Sequence, residues 1–194
     1  MRYAGVDYGN KISGTTVLVY VLNNQILFSQ CEKKKDADVF LMTELVRLNC
    51  THIFIDAPLS LPGALNNPAT TDDYFFRPCD RELKAMSPMF IGGLTARAIQ
   101  LRHRLEKWGA ALYEVHPSSF ARHNNFAAIG YKETVKNIPA VMNALVPFLA
   151  PFELKDNLTN WHQVDALMCF IIGKKYFNNS VSSAGSIEQG IIYF

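Results

Sequence analysis

Short apolar runs and helically spaced ones succeed each other along this chain. Tyr3 to Val6 is apolar and stops at Asp7, and after the glycines at 9 and 14 the segment Thr15 to Leu22 is rich in Val, Thr and Tyr. Both have the composition of strands. Asn23-Asn24, residues that tolerate positive φ, separates the second run from Gln25 to Ser29 and predicts a hairpin. From Asp38 to Leu48 the apolar positions 41, 42, 45, 46 and 48 fall close to helical spacing, with Asp36 or Asp38 available as the cap. His52-Ile53-Phe54-Ile55 is continuously apolar after its first residue, as in a parallel strand covered on both faces, and ends at Asp56-Ala57-Pro58.

Residues 57 to 93 hold much of the Pro, Gly and Asn, with a short helix expected around Asp80 to Met86. So long an excursion is the usual form of a lid or binding loop. A helix over Leu94 to Lys107 leads to a strand over Ala111 to Val115, and helices are expected at Ala140 to Leu149 and Trp161 to Tyr176. The tail, Ile187 to Phe194, reads as a last strand or as a segment folded back on the sheet. The order β-β-β-α-β-α-β-α-α predicts a mixed α/β sheet, antiparallel hairpin first and then parallel strands, flanked by helices. No stretch reads as a linker, so a single domain over 1-194 is expected, with an insertion at about 57-93.

Composition narrows the class. With 49% apolar and 19% charged residues the chain has ample core material and is unlike a disordered one. Its start lacks the features of a signal peptide, and the longest apolar run, near Ala166 to Ile172, is too short to span a bilayer. A cytoplasmic protein that does not enter membranes is the expectation. Cys31, Cys50, Cys79 and Cys169 are scattered without paired spacing and read as reduced thiols. A net charge of +2 permits a polyanionic partner without announcing one.

The chemistry lies in the acids. Asp7, Asp56 and Glu114 each sit at the end of a predicted apolar strand, where α/β sheets collect ligands. Asp165 sits at the edge of the stripe formed by Val164, Leu167, Met168, Ile171 and Ile172 on its helix. A carboxylate there loses hydration unless donors or a cation compensate. Mg²⁺ and Mn²⁺ prefer such oxygen ligands, and phosphate-handling sites often hold two ions about 4 Å apart across a few carboxylates. His162, three residues before Asp165, is a candidate to ligate metal, orient water or move a proton; a surface role on its helix is the alternative. His116, beside Glu114, has the same two readings.

The segments Gly5-Val6-Asp7-Tyr8-Gly9, Ile55-Asp56-Ala57-Pro58-Leu59-Ser60-Leu61-Pro62, Arg77-x-x-Asp80-Arg81, Glu114-Val115-His116-Pro117-Ser118 and Val164-Asp165-Ala166 together resemble domain of unknown function family 429. The resemblance runs in order over nearly the whole chain. It implies a ribonuclease H-like fold, distantly similar to Holliday-junction resolvases, with Asp7, Asp56 and Asp165 as the acidic set that holds Mg²⁺ or Mn²⁺. For Glu114 it leaves both a structural and a substrate-contacting role open.

Ser87 to Arg97 also looks like a family segment, with Arg77 and Arg81 upstream. Guanidinium forks match phosphate oxygens, so Arg77, Arg81 and Arg97 are expected to face the acids and hold a phosphate-bearing substrate. Their alternative is ion pairing with Asp80, Glu82 or Asp73. Arg102, Arg104, Lys107, Lys174 and Lys175 suit ordinary solvated helix faces, and Tyr8 suits a buried strand position.

Three functions compete. The first is a metal-dependent nuclease acting on DNA or RNA. The second is phosphoryl transfer or nucleotide binding of actin-like or sugar-kinase-like ancestry, although those proteins use two such domains. The third is a non-catalytic nucleic-acid-binding module. Junction-cleaving relatives act as homodimers, and the apolar tail Ile191-Ile192-Tyr193-Phe194 is a candidate partner surface.

Overall fold

The computed structural model describes residues 2–69 and 71–194; Met1, and Thr70 within the 57-93 excursion, lie outside the described residues. The chain opens with β1 (Tyr3–Asp7), β2 (Val17–Leu22) and β3 (Gln25–Gln30), then α1 (Ala37–Arg47) and β4 (His52–Asp56). The excursion carries one 3-10 turn and α2 (Pro78–Leu83), and is followed by α3 (Gly92–Lys107), β5 (Ala111–Glu114) and α4 (Pro117–His123). Then come α5 (Ile138–Leu149), β6 (Glu153–Leu154), α6 (Trp161–Phe177) and a hairpin of β7 (Ser183–Ser186) and β8 (Gly190–Tyr193).

Six strands form a mixed sheet in the order β5-β4-β1-β2-β3-β6. β1-β2-β3 is an antiparallel meander, whereas β4 runs parallel to β1 and β5 parallel to β4. This is the α/β arrangement that the patterning predicts. α4 and the two-residue β6 have no counterpart among the predicted elements: one is seven residues long, the other too short for any period to register.

Strand alternation distributes the core to both faces. On one face Val17, Val19 and Phe54 pack under Phe120, Leu145, Leu167 and Phe170 of α4, α5 and α6. On the other, Val6, Leu18, Ile53 and Ile55 meet Leu41 and Leu45 of α1 and Leu101 and Leu105 of α3. Each fully buried leucine or isoleucine contributes about 1.5–3 kcal/mol. Asp36 caps α1, accepting from the Asp38 and Val39 amides at 2.9 and 3.2 Å. That leaves Asp38 free for another role.

α6 departs from the expected stripe. Every residue from Val164 to Gly173 is buried, because the helix is enclosed between the sheet and α4 and α5. Asp165 is therefore inside the protein, 3% exposed, and not at the margin of an amphipathic face.

The tail packs on its own chain. Ile192 is buried with Cys79 and Leu83 of α2 and with Ala184, and β8 reaches the end of β5 through the Val115–Tyr193 bridge. Of the tail residues Ile192 is buried by these contacts, and Ile191, Tyr193 and Phe194 are half-buried. Among the described residues no helix is long and apolar enough to cross a membrane, and the four cysteines are free and buried.

Candidate functional site

One strand register and one close helix–strand contact bring the acids together. β1 and β4 are paired in parallel so that Asp7 and Asp56 are direct neighbours at the last rung. Such neighbours point to the same face, here the one covered by α6. α6 can lie close against β1 because residue 5 is glycine: a Cβ there would stand 2.2 Å from the Phe170 nitrogen and 2.5 Å from the Ala166 oxygen. This close approach carries Asp165 to the strand ends. One oxygen from each of Asp7, Asp56 and Asp165 lies within 4.8 Å of the others.

The surroundings differ from acid to acid. Asp165 accepts from the Tyr131 hydroxyl at 2.6 Å and forms an ion pair with Lys132 Nζ at 2.7 Å. Asp7 is paired with His162 Nδ1 at 2.8 Å. Asp56, half-buried, accepts no hydrogen bond among the described residues. Burial, and then the negative neighbours Asp7 and Asp165, push its pKa well above the usual carboxylate value. Burial likewise raises Asp165, to about 6, even with Lys132 opposing. The hydrogen bond to Asp7 raises the pKa of His162.

A hard divalent cation fits this donor set. All three ligand atoms are carboxylate oxygens, they come from three separate elements, and two of the groups resist ionisation without added positive charge. A cleft of about 230 Å³ runs from Asp7 and Asp56 past His116 to Met86 and Ile91 of the excursion. His116, hydrogen-bonded to Ser119 Oγ at 2.8 Å, is held neutral by burial, with its pKa lowered to about 4.

Glu114 lines the same cleft as Asp7 and Asp56 but projects from the other face of the sheet. Its partner across β4–β5 is Ile55, one residue short of Asp56, and a shift of one residue turns a side chain to the opposite face. There it meets Arg77, which is 1% exposed. The guanidinium donates to Asp80 Oδ2 and Oδ1 at 3.0 and 2.6 Å, to Glu114 Oε2 and Oε1 at 2.7 and 2.6 Å, and to Ser60 Oγ at 3.0 Å. That is the full set of five donors an arginine has, so none is left for a phosphate. Burial alone would lower the Arg77 pKa, but the bonds to Glu114 and Asp80 outweigh it and hold the charge.

The other two arginines are also engaged. Arg97, on α3 against the face opposite α6, holds Asp38 at 2.7 and 3.0 Å and the Gly9 carbonyl at 3.1 Å, with its guanidinium over the Tyr8 ring. Tyr8 is buried and donates its hydroxyl to the same Asp38. Arg97 thus braces the chain as it leaves β1. Arg81 is exposed, paired with Asp73 at 2.8 Å and stacked over Phe76. Each of the three arginines is thus paired with an acid outside the trio: Arg77 with Asp80 and Glu114, Arg81 with Asp73 and Arg97 with Asp38.

Tyr131 and Lys132 are the site residues that patterning does not select. They lie in a turn after Gly130, in a stretch with no period to read, and their only sequence cue is a glycine followed by an aromatic and a cation. Compared with known proteins, the chain matches no family model, no curated protein and no solved structure.

Proposed function

We propose that this chain is a metal-dependent nuclease of the kind its resemblance to domain of unknown function family 429 implies, hydrolysing phosphodiester bonds of DNA or RNA with Mg²⁺ or Mn²⁺ at Asp7, Asp56 and Asp165. One observation carries the reading: three carboxylates from β1, β4 and α6 converge within 4.8 Å, one of them without a hydrogen-bond donor among the described residues. The ion would supply a water of lowered pKa and charge stabilisation at phosphorus. The chain's own groups divide the remaining work. Asp7, Asp56 and Asp165 act as ligands and not as nucleophiles. His162, oriented by Asp7 and with its side chain 45% exposed, is available to take or return a proton beside the acids. Arg77, Asp80 and Glu114 shape the opposite side by anchoring α2 and the Leu59 amide, which donates to Glu114 at 2.9 Å.

The test is a cleavage screen over single-stranded, duplex and branched DNA and RNA with Mn²⁺ or Mg²⁺. Cleavage that requires the ion and disappears in Asp7→Asn, Asp56→Asn and Asp165→Asn is the expected outcome. A protein that binds the ion yet cleaves none of these substrates would return the argument to a binding module.

A further inference from the structure

We propose that Lys132 is the second cation of this centre, so that the site takes one divalent ion and not two. The inference rests on the metal-dependent reading of the acidic trio. Lys132 Nζ stands 2.7 Å from Asp165 Oδ2, and the other oxygen of that carboxylate is taken by the Tyr131 hydroxyl. Both oxygens of Asp165 thus already have a donor, and the ammonium stands where it competes with any further cation at that carboxylate.

The lysine is delivered by a built turn. The Tyr131 amide bonds to the Phe126 carbonyl at 3.1 Å, and the Glu133 amide to the Gly130 carbonyl at 3.1 Å. Gly130, at φ 80°, is covered by Asn137, whose Nδ2 donates to its carbonyl at 3.1 Å. A Cβ at Gly130 would lie 1.9 Å from that nitrogen. Tyr131 is also set edge-on against Trp161, the first residue of α6, with ring centroids 5.5 Å apart. The turn is therefore fastened to the helix that carries Asp165, and the lysine, its side chain 42% exposed, reaches that carboxylate from it.

Charge balance points the same way. One dication and one ammonium neutralise three carboxylates, whereas two dications beside the same ammonium leave two positive charges uncompensated in a partly buried cluster.

The experiment is Mn²⁺ titration calorimetry on the full chain, paired with melting in chelator and in Mn²⁺, for wild type, Lys132→Met and Lys132→Arg. The wild type should bind one ion. Lys132→Met should bind at least about tenfold more tightly or take a second ion, since a competing charge a few ångströms away is removed. It should also melt lower in chelator and gain more from Mn²⁺ than wild type. Lys132→Arg should keep one ion near wild-type affinity, which separates lost charge from a damaged turn. Two ions in the wild type, or unchanged affinity and stoichiometry in Lys132→Met, would overturn the proposal while leaving a metal site standing. No binding to wild type but binding to Lys132→Met would overturn both the one-ion stoichiometry and the metal-dependent reading. Binding to neither would sink both.

Discussion

Two acidic centres lie at the same end of the sheet, and they are built in opposite ways. Around Arg77 every donor is used, and Asp80 and Glu114 are both compensated. Around Asp7, Asp56 and Asp165 the donors fall short: Tyr131, Lys132 and His162 serve two of the acids and leave Asp56 with none. A saturated cluster is closed and holds loops in place. An unsaturated one stores unfavourable charge that only protons or a cation relieve. Both are made of carboxylates that follow apolar strands, so residue type does not separate them. Register does, by one residue.

The contrast is broken most directly at Arg77. Arg77→Met would leave Asp80 and Glu114 buried without a counter-charge and should lower unfolding free energy by about 3–5 kcal/mol, read from denaturant midpoints. Asp56→Asn should do the reverse in chelator. It removes a charge that burial and two acidic neighbours oppose, so its midpoint should rise above wild type, while Mn²⁺ no longer stabilises it. A loss of stability in Asp56→Asn without metal would mean that the open centre is as satisfied as the closed one.

Next in size is Gly5→Ala. The added methyl meets the α6 backbone and not a side chain that could swing away, so helix and strand must separate. Overpacking of this kind costs roughly 1–3 kcal/mol. Because the separation moves Asp165 from Asp7, Mn²⁺ affinity should fall along with the melting temperature. Stability lost with metal binding intact would show that Gly5 does not position the site.

The third test uses pH. Asp165 has its folded-state pKa raised to about 6, above the ordinary carboxylate value. Below about pH 4 it is protonated in both states and imposes no penalty. As pH climbs towards 6 the unfolded chain releases a proton that the native one retains, so this group makes native stability fall, by up to about 3 kcal/mol once titration is complete. Asp165→Asn lacks the effect. In chelator its stability advantage over wild type should therefore grow between pH 4 and 6 and then level off, and saturating Mn²⁺ should abolish it. A difference that does not vary with pH would place the proton elsewhere in the cluster.

Much of this organisation is legible in the chain. Period-two and helical patterns mark the central strands and α1, α3, α5 and α6, and they single out Asp7, Asp56, Glu114 and Asp165, of which the fold brings the oxygens of Asp7, Asp56 and Asp165 together. What patterning cannot supply is parity across strands. Glu114 and Asp56 look equivalent as strand-end acids until the Ile55–Glu114 rung shows that they face opposite ways. Nor can it find Lys132, which reaches Asp165 from a turn held by Gly130 and Asn137 and not by any periodic element. The arginines illustrate the same limit: a guanidinium suits a phosphate or a carboxylate equally well, and only the three-dimensional neighbours decide.

The smallest expected effect is at Arg81, four residues from Arg77 and within α2, the helix whose start Arg77 caps. Arg81 is exposed, its pair with Asp73 is bathed in solvent, and its stacking on Phe76 is an added contact at the surface. Arg81→Ala should change stability by less than about 1 kcal/mol, and the change should shrink further at high salt. Because stability is nearly silent there, the variant isolates recognition. If Arg81 leaves Asp73 for a substrate phosphate, affinity for single-stranded nucleic acid should fall at low salt and converge with wild type as salt rises, with melting unchanged. Equal affinity at every salt concentration would assign Arg81 to the ion pair alone. The two arginines of one segment would then both serve structure, one from the core and one from the surface.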